Sequence, residues 1–286
     1  MKLNKNSKIL IVGLGLIGGS YAKALTKKGY EVGAITLNQD DIDYALENKI
    51  IKHGQTKVTK EYVSLFDVVI FALYPKVLLE WINKYHDFFK KGCIISDVTG
   101  VKVEVVYKVQ DCLKNDNVEF IGAHPMAGKE VYGVQNAKED LFKGANFIIT
   151  PTDKNTDEAI EVISSLATEL EVGNISVLSP EKHDEMIAFL SQLTHCIAVS
   201  LMTCKESQHL KEYTGDSFRD LTRIANINEN MWSELFLMNK QELLSQMDLF
   251  IKEFTKLKDS LENEDIDTMK DMMRLSTYRR SYFNKK

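Results

Sequence analysis

Lys8-Ile9-Leu10-Ile11-Val12-Gly13-Leu14-Gly15-Leu16-Ile17-Gly18-Gly19 is the stretch on which the fold turns. A short apolar run ends in glycines, and Ala22 to Lys28 beyond them reads as helix. A GxGxxG pattern alone is weak; between a strand and a helix it becomes a dinucleotide-binding loop. Gly13 permits the tight turn, Gly15 lets the backbone approach a pyrophosphate, and Gly18 packs the helix against the strand. Leu16 and Ile17 open the helix whose amino terminus would face the phosphate charge. A glycine-rich turn that binds nothing is the competing reading, and the strand-loop-helix context disfavours it.

Glu31 to Leu37 reads as the second strand. The acid that usually binds the ribose lies about 20 residues beyond the loop. Thr36 stands there instead, within Ala34-Ile35-Thr36-Leu37-Asn38, and no arginine is present to receive a 2′-phosphate. Asp40 or Asp41 could reach the ribose from the next turn, or Thr36 and Asn38 could tolerate a phosphate. The balance leans to NAD, with NADP as the alternative.

Working outward, Asp67 to Leu73 and Cys93 to Asp97 are further continuous apolar strands, with Pro75 opening the helix between them. Such strands separated by helices argue for a parallel sheet covered on both faces. Asn146 to Thr150 and Asn174 to Leu178 add outer strands around an amphipathic helix over 158–170. After Leu178 the strand pattern stops. Ser179 can cap a helix with Pro180 at its first position, and helical periodicity follows near 180–209, 216–227, 230–261 and 265–280. The expected architecture is α/β, a Rossmann-type doubly wound parallel sheet over 1–178, followed by an all-helical domain over 179–286.

The 286 residues can build a sizeable core, and a 44% hydrophobic, 27% charged composition is that of a soluble globular chain. A net charge of -5 gives no reason to expect nucleic acid as a partner. The four cysteines are scattered without metal-ligand spacing, which fits incidental thiols in a reducing cytoplasm and no metal. Met1 to Lys8 is polar and does not read as a signal peptide. Met186 to Thr203 is the most apolar long segment, but Ser191, Gln192, Thr194 and His195 favour a buried helix over a membrane span.

His124-Pro125-Met126-Ala127-Gly128, with Glu130 just beyond, closes the strand-like run Val118 to Ala123. A histidine at the carboxyl end of a strand in an open α/β sheet points into the ligand crevice; a capping or core histidine is the plainer alternative. In the helical half, Asp184, Ser191 and His195 follow at spacings of seven and four, which places them on one helical face. Asp220 and Arg223 lie three apart, and Ile224 and Ala225 beside the arginine suggest a partly buried guanidinium suited to a carboxylate. An intrahelical Asp220–Arg223 pair is the competing reading. His183 could simply cap its helix, and Trp232 could be core.

In order and spacing these segments resemble the prephenate/arogenate dehydrogenase family of tyrosine biosynthesis. The resemblance runs from the glycine loop through Asp97 to Lys102, His124 to Gly128, His183-Asp184 and Ser191 to His195, as far as Asp220 to Arg223 and Trp232. It implies oxidative decarboxylation of prephenate, or of arogenate, with hydride passing to NAD or NADP. His124 would then take the substrate hydroxyl proton and Arg223 a carboxylate. Asp220 would support the arginine, while His195, Glu130 and Trp232 line or gate the pocket. One departure matters: where the family carries a serine, this chain has Gly100 preceded by Thr99, and Thr99 is the substitute candidate. No mutase domain is expected before the glycine loop, and no regulatory domain after the helices. The long apolar helices imply a homodimer, as the family does.

An imidazole base of ordinary pKa would lose activity as pH drops through about 6.5. Rival readings are another two-domain β-hydroxyacid or imine dehydrogenase and a non-catalytic NAD(P)-sensing module. The first typically relies on a lysine on the helix opening the second domain, where this chain has only Lys182 in the first turn.

Overall fold

The computed structural model describes residues 3–114, 117–129, 131–206 and 208–283. The chain begins β1 (Lys8–Val12), α1 (Leu16–Lys27), β2 (Glu31–Ile35), α2 (Gln39–Glu47) and β3 (His53–Gln55). A single turn α3 (Lys60–Val63), β4 (Val68–Phe71), α4 (Pro75–Tyr85), β5 (Ile94–Asp97) and α5 (Val103–Cys112) follow. β6 (Glu119–Pro125), β7 (Asn146–Thr150), α6 (Asp157–Glu169) and β8 (Asn174–Val177) complete one sheet in the order β3-β2-β1-β4-β5-β6-β7-β8.

The order places β1 and β4 at the centre, where the winding reverses, as in dinucleotide-binding sheets. Ile9 and Ile11 of β1 enter one hydrophobic cluster, with residues of α1, α2 and α6; Leu10 and Val12 enter the other, with residues of α4 and α5. Burial on both faces is why the strand reads as continuously apolar. The expected doubly wound α/β fold is therefore present, with one difference. β7 pairs antiparallel with β6, and β8 parallel with β7, so the last two strands run against the first six. Among its described residues the link from β6 to β7 holds one short 3₁₀ turn, Val134–Asn136. Without a crossover helix the chain returns beside the strand it left, and that return pairs antiparallel.

From Pro180 onward the described chain is helical. Ser179 caps α7 (Pro180–Ile187) by accepting from the Lys182 amide, with Pro180 at the first position. A π-helical segment, Ala188–Leu193, joins it to α8 (Thr194–Thr203). α9 (Asp216–Thr222), α10 (Glu229–Met238), α11 (Lys240–Glu262) and α12 (Ile266–Arg280) follow. The single helix expected over 230–261 is two, broken at Asn239, whose side-chain amide donates to the Asp184 carbonyl and the Gln192 Oε1, each at 2.9 Å. Pro180–Thr203 is long and apolar enough to cross a membrane. Its Ile187, Ala188 and Leu193 are buried while Phe189 and Leu190 are exposed, so the helix expected to be buried is buried along one side.

Candidate active site

Gly13 has φ +101°, and a Cβ there would lie 2.4 Å from the Ala72 carbonyl oxygen. A Cβ at Gly18 would lie 1.9 Å from the Gly13 carbonyl oxygen. Both positions therefore exclude any side chain: the first by backbone conformation, the third by the closeness of α1 to β1. Gly15 is the opposite case, exposed and with open space where its Cβ would project. It precedes α1, whose amino terminus has no side-chain cap, so its first amides are free to face a phosphate. A cradle closed at both ends and open in the middle fits a dinucleotide pyrophosphate.

His124 lies near the carboxyl end of β6, paired with Ile148 of β7; the strand continues through Pro125 instead of stopping before it. Its Nδ1 is 2.9 Å from Nε2 of His183. The His183 Nδ1 is in turn 2.7 Å from Asp184 Oδ1. The Asp184 carboxylate also accepts from the Lys102 and Val103 amides, each at 2.8 Å, so a residue of α7 caps the amino terminus of α5. Below this line sits a second buried cluster. Lys102 Nζ, fully buried, donates to Asp97 and, at 3.2 Å, to Thr99 Oγ1, while Asp97 Oδ1 accepts from the Ala123 amide at 3.1 Å.

Burial, reinforced by His183 and the Lys102 ammonium, holds the His124 imidazole well below its usual pKa. His183 is pushed down to about 3 by burial and by Lys102. Asp184 moves the other way, raised to about 6 by burial against the pull of its two backbone donors. At neutral pH both rings are uncharged and the carboxylate is ionised. Burial likewise lowers Lys102, opposed by the Asp97 carboxylate.

The helical half reaches this site through α10. A Cβ at Gly100 would lie 3.6 Å from Leu235 and 3.9 Å from His124 Cε1, so Leu235 of α10 and the imidazole both border Gly100. One turn back on α10, Trp232 stacks on His195, with ring centroids 3.7 Å apart at 30°. Gln192 holds the two helices together by donating to the Leu235 carbonyl at 3.1 Å.

The sequence model of the prephenate dehydrogenase nucleotide-binding domain matches residues 21–176, and that of the prephenate dehydrogenase dimerization domain matches residues 179–275. The prephenate dehydrogenase of Bacillus subtilis is 31% identical over 268 residues, covering 91% of this chain and 72% of that protein. This chain belongs to the prephenate dehydrogenase family. The cyclohexadienyl dehydrogenase of Zymomonas mobilis is 30% identical over 268 residues, 91% of this chain and 90% of that one. The crystal structure of Aquifex aeolicus prephenate dehydrogenase with hydroxyphenyl propionate and NAD+ superposes with a TM-score of 0.88 at 27% identity, covering 99% of this chain and all of that one. The chain is an oxidoreductase that uses a nicotinamide dinucleotide.

Among the residues expected to serve a prephenate dehydrogenase, the structure brings Trp232 and His195 together in a ring stack, while His124 meets His183. Others sit differently. Arg223, expected to be partly buried, is exposed at the end of α9, and Asp220 is exposed too. α9 is only seven residues long and turns no residue fully inward, so its charged face stays in water. Thr99, the candidate substitute for the serine, is buried, with its hydroxyl against Asp97 and 2.9 Å from the Val101 carbonyl. Asp184 is buried, whereas Ser191 and His195 are half-buried, with the His195 Nδ1 2.8 Å from the Ser191 carbonyl oxygen. Thr36 follows β2 and is half-buried. Glu130 lies outside the described residues.

Sequence reasoning missed the role of His183, taken for a helix cap, and the buried Lys102–Asp97 pair. The available clue was chemical: charged or polar residues set among Val98, Val101 and Ile187 require partners when buried.

Proposed function

We propose that this chain catalyses the oxidative decarboxylation of prephenate to 4-hydroxyphenylpyruvate in tyrosine biosynthesis, with NAD as the oxidant. When bound, the nicotinamide supplies an acceptor for the hydride that leaves the carbinol carbon. His124 takes the hydroxyl proton on its free ring nitrogen as that carbon becomes carbonyl-like. The bond to the ring carboxylate then breaks, carbon dioxide departs, and its electron pair completes the aromatic ring. The proton returns from His124 to the phenol oxygen, so the imidazole ends as it began. In this reading Arg223, with Asp220 beside it, takes a substrate carboxylate, as the family resemblance implies, and Trp232 with His195 lines the pocket.

The observation that carries this reading is a buried imidazole near the carboxyl end of β6, hydrogen-bonded to His183 of the helical half. An imidazole acting as general base must be unprotonated at its working pH, and burial favours that form of His124. The experiment is nicotinamide reduction by the purified chain with prephenate, arogenate and a simple β-hydroxyacid. Prephenate turnover is expected. Turnover of the β-hydroxyacid alone would overturn the reading, and a preference for arogenate would transfer it to the amino acid.

Two finer features belong to the same reading. NAD is favoured over NADP because Asp40 and Asp41 occupy the first turn of α2, whose start is already capped by Asn38. Moreover, no arginine precedes Arg219 in the sequence, and a 2′-phosphate would meet carboxylates. The active form is a homodimer: α12 has no buried residue and α11 buries only Leu243 and Ser260. Ile251, Phe254 and Leu261 lie exposed on α11, an apolar surface that calls for a partner. The dimerization-domain match supports a second copy as that partner. The four free thiols suit a reducing cytoplasm.

A further inference from the structure

In the line Asp184–His183–His124, each hydrogen bond fixes the direction of the next. An ionised carboxylate only accepts, so His183 Nδ1 carries the proton in its 2.7 Å contact with Asp184. A neutral imidazole has one N–H, which leaves His183 Nε2 as a bare acceptor. That atom lies 2.9 Å from His124 Nδ1, so His124 Nδ1 must donate. The one proton of the neutral His124 ring is then accounted for, and its Nε2 keeps a lone pair.

We infer that His183 and Asp184 are positioning residues that lock His124 in the Nδ1–H tautomer, so that its Nε2 can receive the substrate hydroxyl proton. The link to prephenate rests on the reading above; the tautomer does not. The geometry explains why Asp184 is ionised and fixed: both its oxygens are held by amides at the start of α5, where the helix dipole favours an anion. Its own carbonyl is held by Asn239 from the α10–α11 break. The other charged groups facing the line are Lys102 and Asp97 from the sheet side and Glu181 from the first turn of α7. The base is therefore set only when α7 docks on α5, so the helical half prepares a catalytic group that belongs to the sheet.

The opposing account is that Asp184 merely caps α5 and His183 merely fills space. The two accounts separate in Asp184→Asn. An amide turned toward His183 Nδ1 would donate, moving the His183 proton to Nε2 and the His124 proton to its own Nε2. Long-range nitrogen NMR of the full chain without ligand reads that tautomer directly. In the unaltered protein, His124 Nε2 is expected unprotonated; in Asp184→Asn it is expected to carry the proton. With prephenate, kcat of the variant is expected to fall at least about 100-fold, the scale of general-base catalysis, while NAD affinity is unchanged. A folded Asp184→Asn protein with unaltered kcat would overturn the inference. If that variant fails to fold, the unaltered protein decides: a proton on His124 Nε2 overturns the inference, and a bare Nε2 supports it. If prephenate is not a substrate at all, the functional reading falls while the NMR result still judges the tautomer.

Discussion

At the β5–β6 edge the protein buries its polar groups and connects them: Asp97, Lys102, His183 and Asp184 are all inside, each with a partner at hydrogen-bonding distance. On the helical side the pattern reverses. Arg223 and Asp220 stand in solvent, and Ile251 and Phe254 are 57% and 62% exposed. Buried, fully connected polar groups are rigid and costly to disturb; exposed side chains and apolar surface are adaptable. The comparison assigns precise proton handling to the sheet edge, and capture and association to the helices.

The largest effect should come from the rigid side. His124→Asn removes the base while leaving a hydrogen-bonding side chain near His183, so the fold and the glycine loop persist. Turnover is expected to drop about 1000-fold, within the range for losing a general base, with NAD binding by fluorescence titration unchanged. Turnover like that of the unaltered chain would remove His124 from the chemistry and with it the contrast between the two regions.

Arg223→Ala tests the adaptable side. A charge-assisted bond from the exposed guanidinium to a substrate carboxylate contributes about 1.5–3 kcal/mol, or about 10- to 100-fold. The expected result is a KM for prephenate raised by that factor, with kcat little changed. A loss in kcat with constant KM would show Arg223 acting in the reaction step, which would place it with the rigid group.

The sheet side was also the more legible in sequence, for physical reasons. Ile9 to Val12, Val68 to Phe71 and Ile94 to Ser96 are buried on both faces, so their apolar runs announce strands without tertiary information. Gly13 and Gly18 are fixed by local sterics and therefore visible as a motif. β3, three half-buried residues around Gly54, has too little pattern to be seen, and the antiparallel β7 depends on a connection that local sequence does not encode. His124 could be placed at its strand end, but its contact with His183 spans 59 positions and no spacing rule reaches it. The π segment at Ala188–Leu193 departs from the 3.6-residue period, so local sequence does not announce it. Arg223 was misplaced because Ile224 and Ala225 beside it suggested burial, whereas the short α9 keeps it at the surface.

Association gives a smaller, equally directed effect. The double variant Ile251→Lys, Phe254→Asp adds charges to a surface that a single chain leaves in water, so the protomer's own fold has little to lose. Its dimer dissociation constant, from sedimentation or light scattering over a concentration series, is expected to rise at least about tenfold, corresponding to about 1.4 kcal/mol. A dimer of unaltered strength would place the partner surface elsewhere on the helices.

The smallest effect, and the sharpest discriminator between the regions, is the dependence of kcat on pH. His124 acts in its deprotonated form. An ordinary imidazole would begin to lose that form near pH 6.5, but burial and the Lys102 ammonium depress this ring, so the base remains available as pH falls through that value. The group that titrates first on acidification is Asp184, whose carboxyl is raised to about 6 by burial. Below that pH it takes a proton and ceases to be an obligate acceptor for His183, and the orientation of His124 is no longer enforced. Hence kcat with prephenate is expected to stay level from pH 7.5 to about 6.5 and to decline only at about 6 and below. A decline centred at pH 6.5 that persists in Asp184→Asn would mean that His124 titrates as an ordinary solvated imidazole, and the buried edge would then have no special hold on its proton.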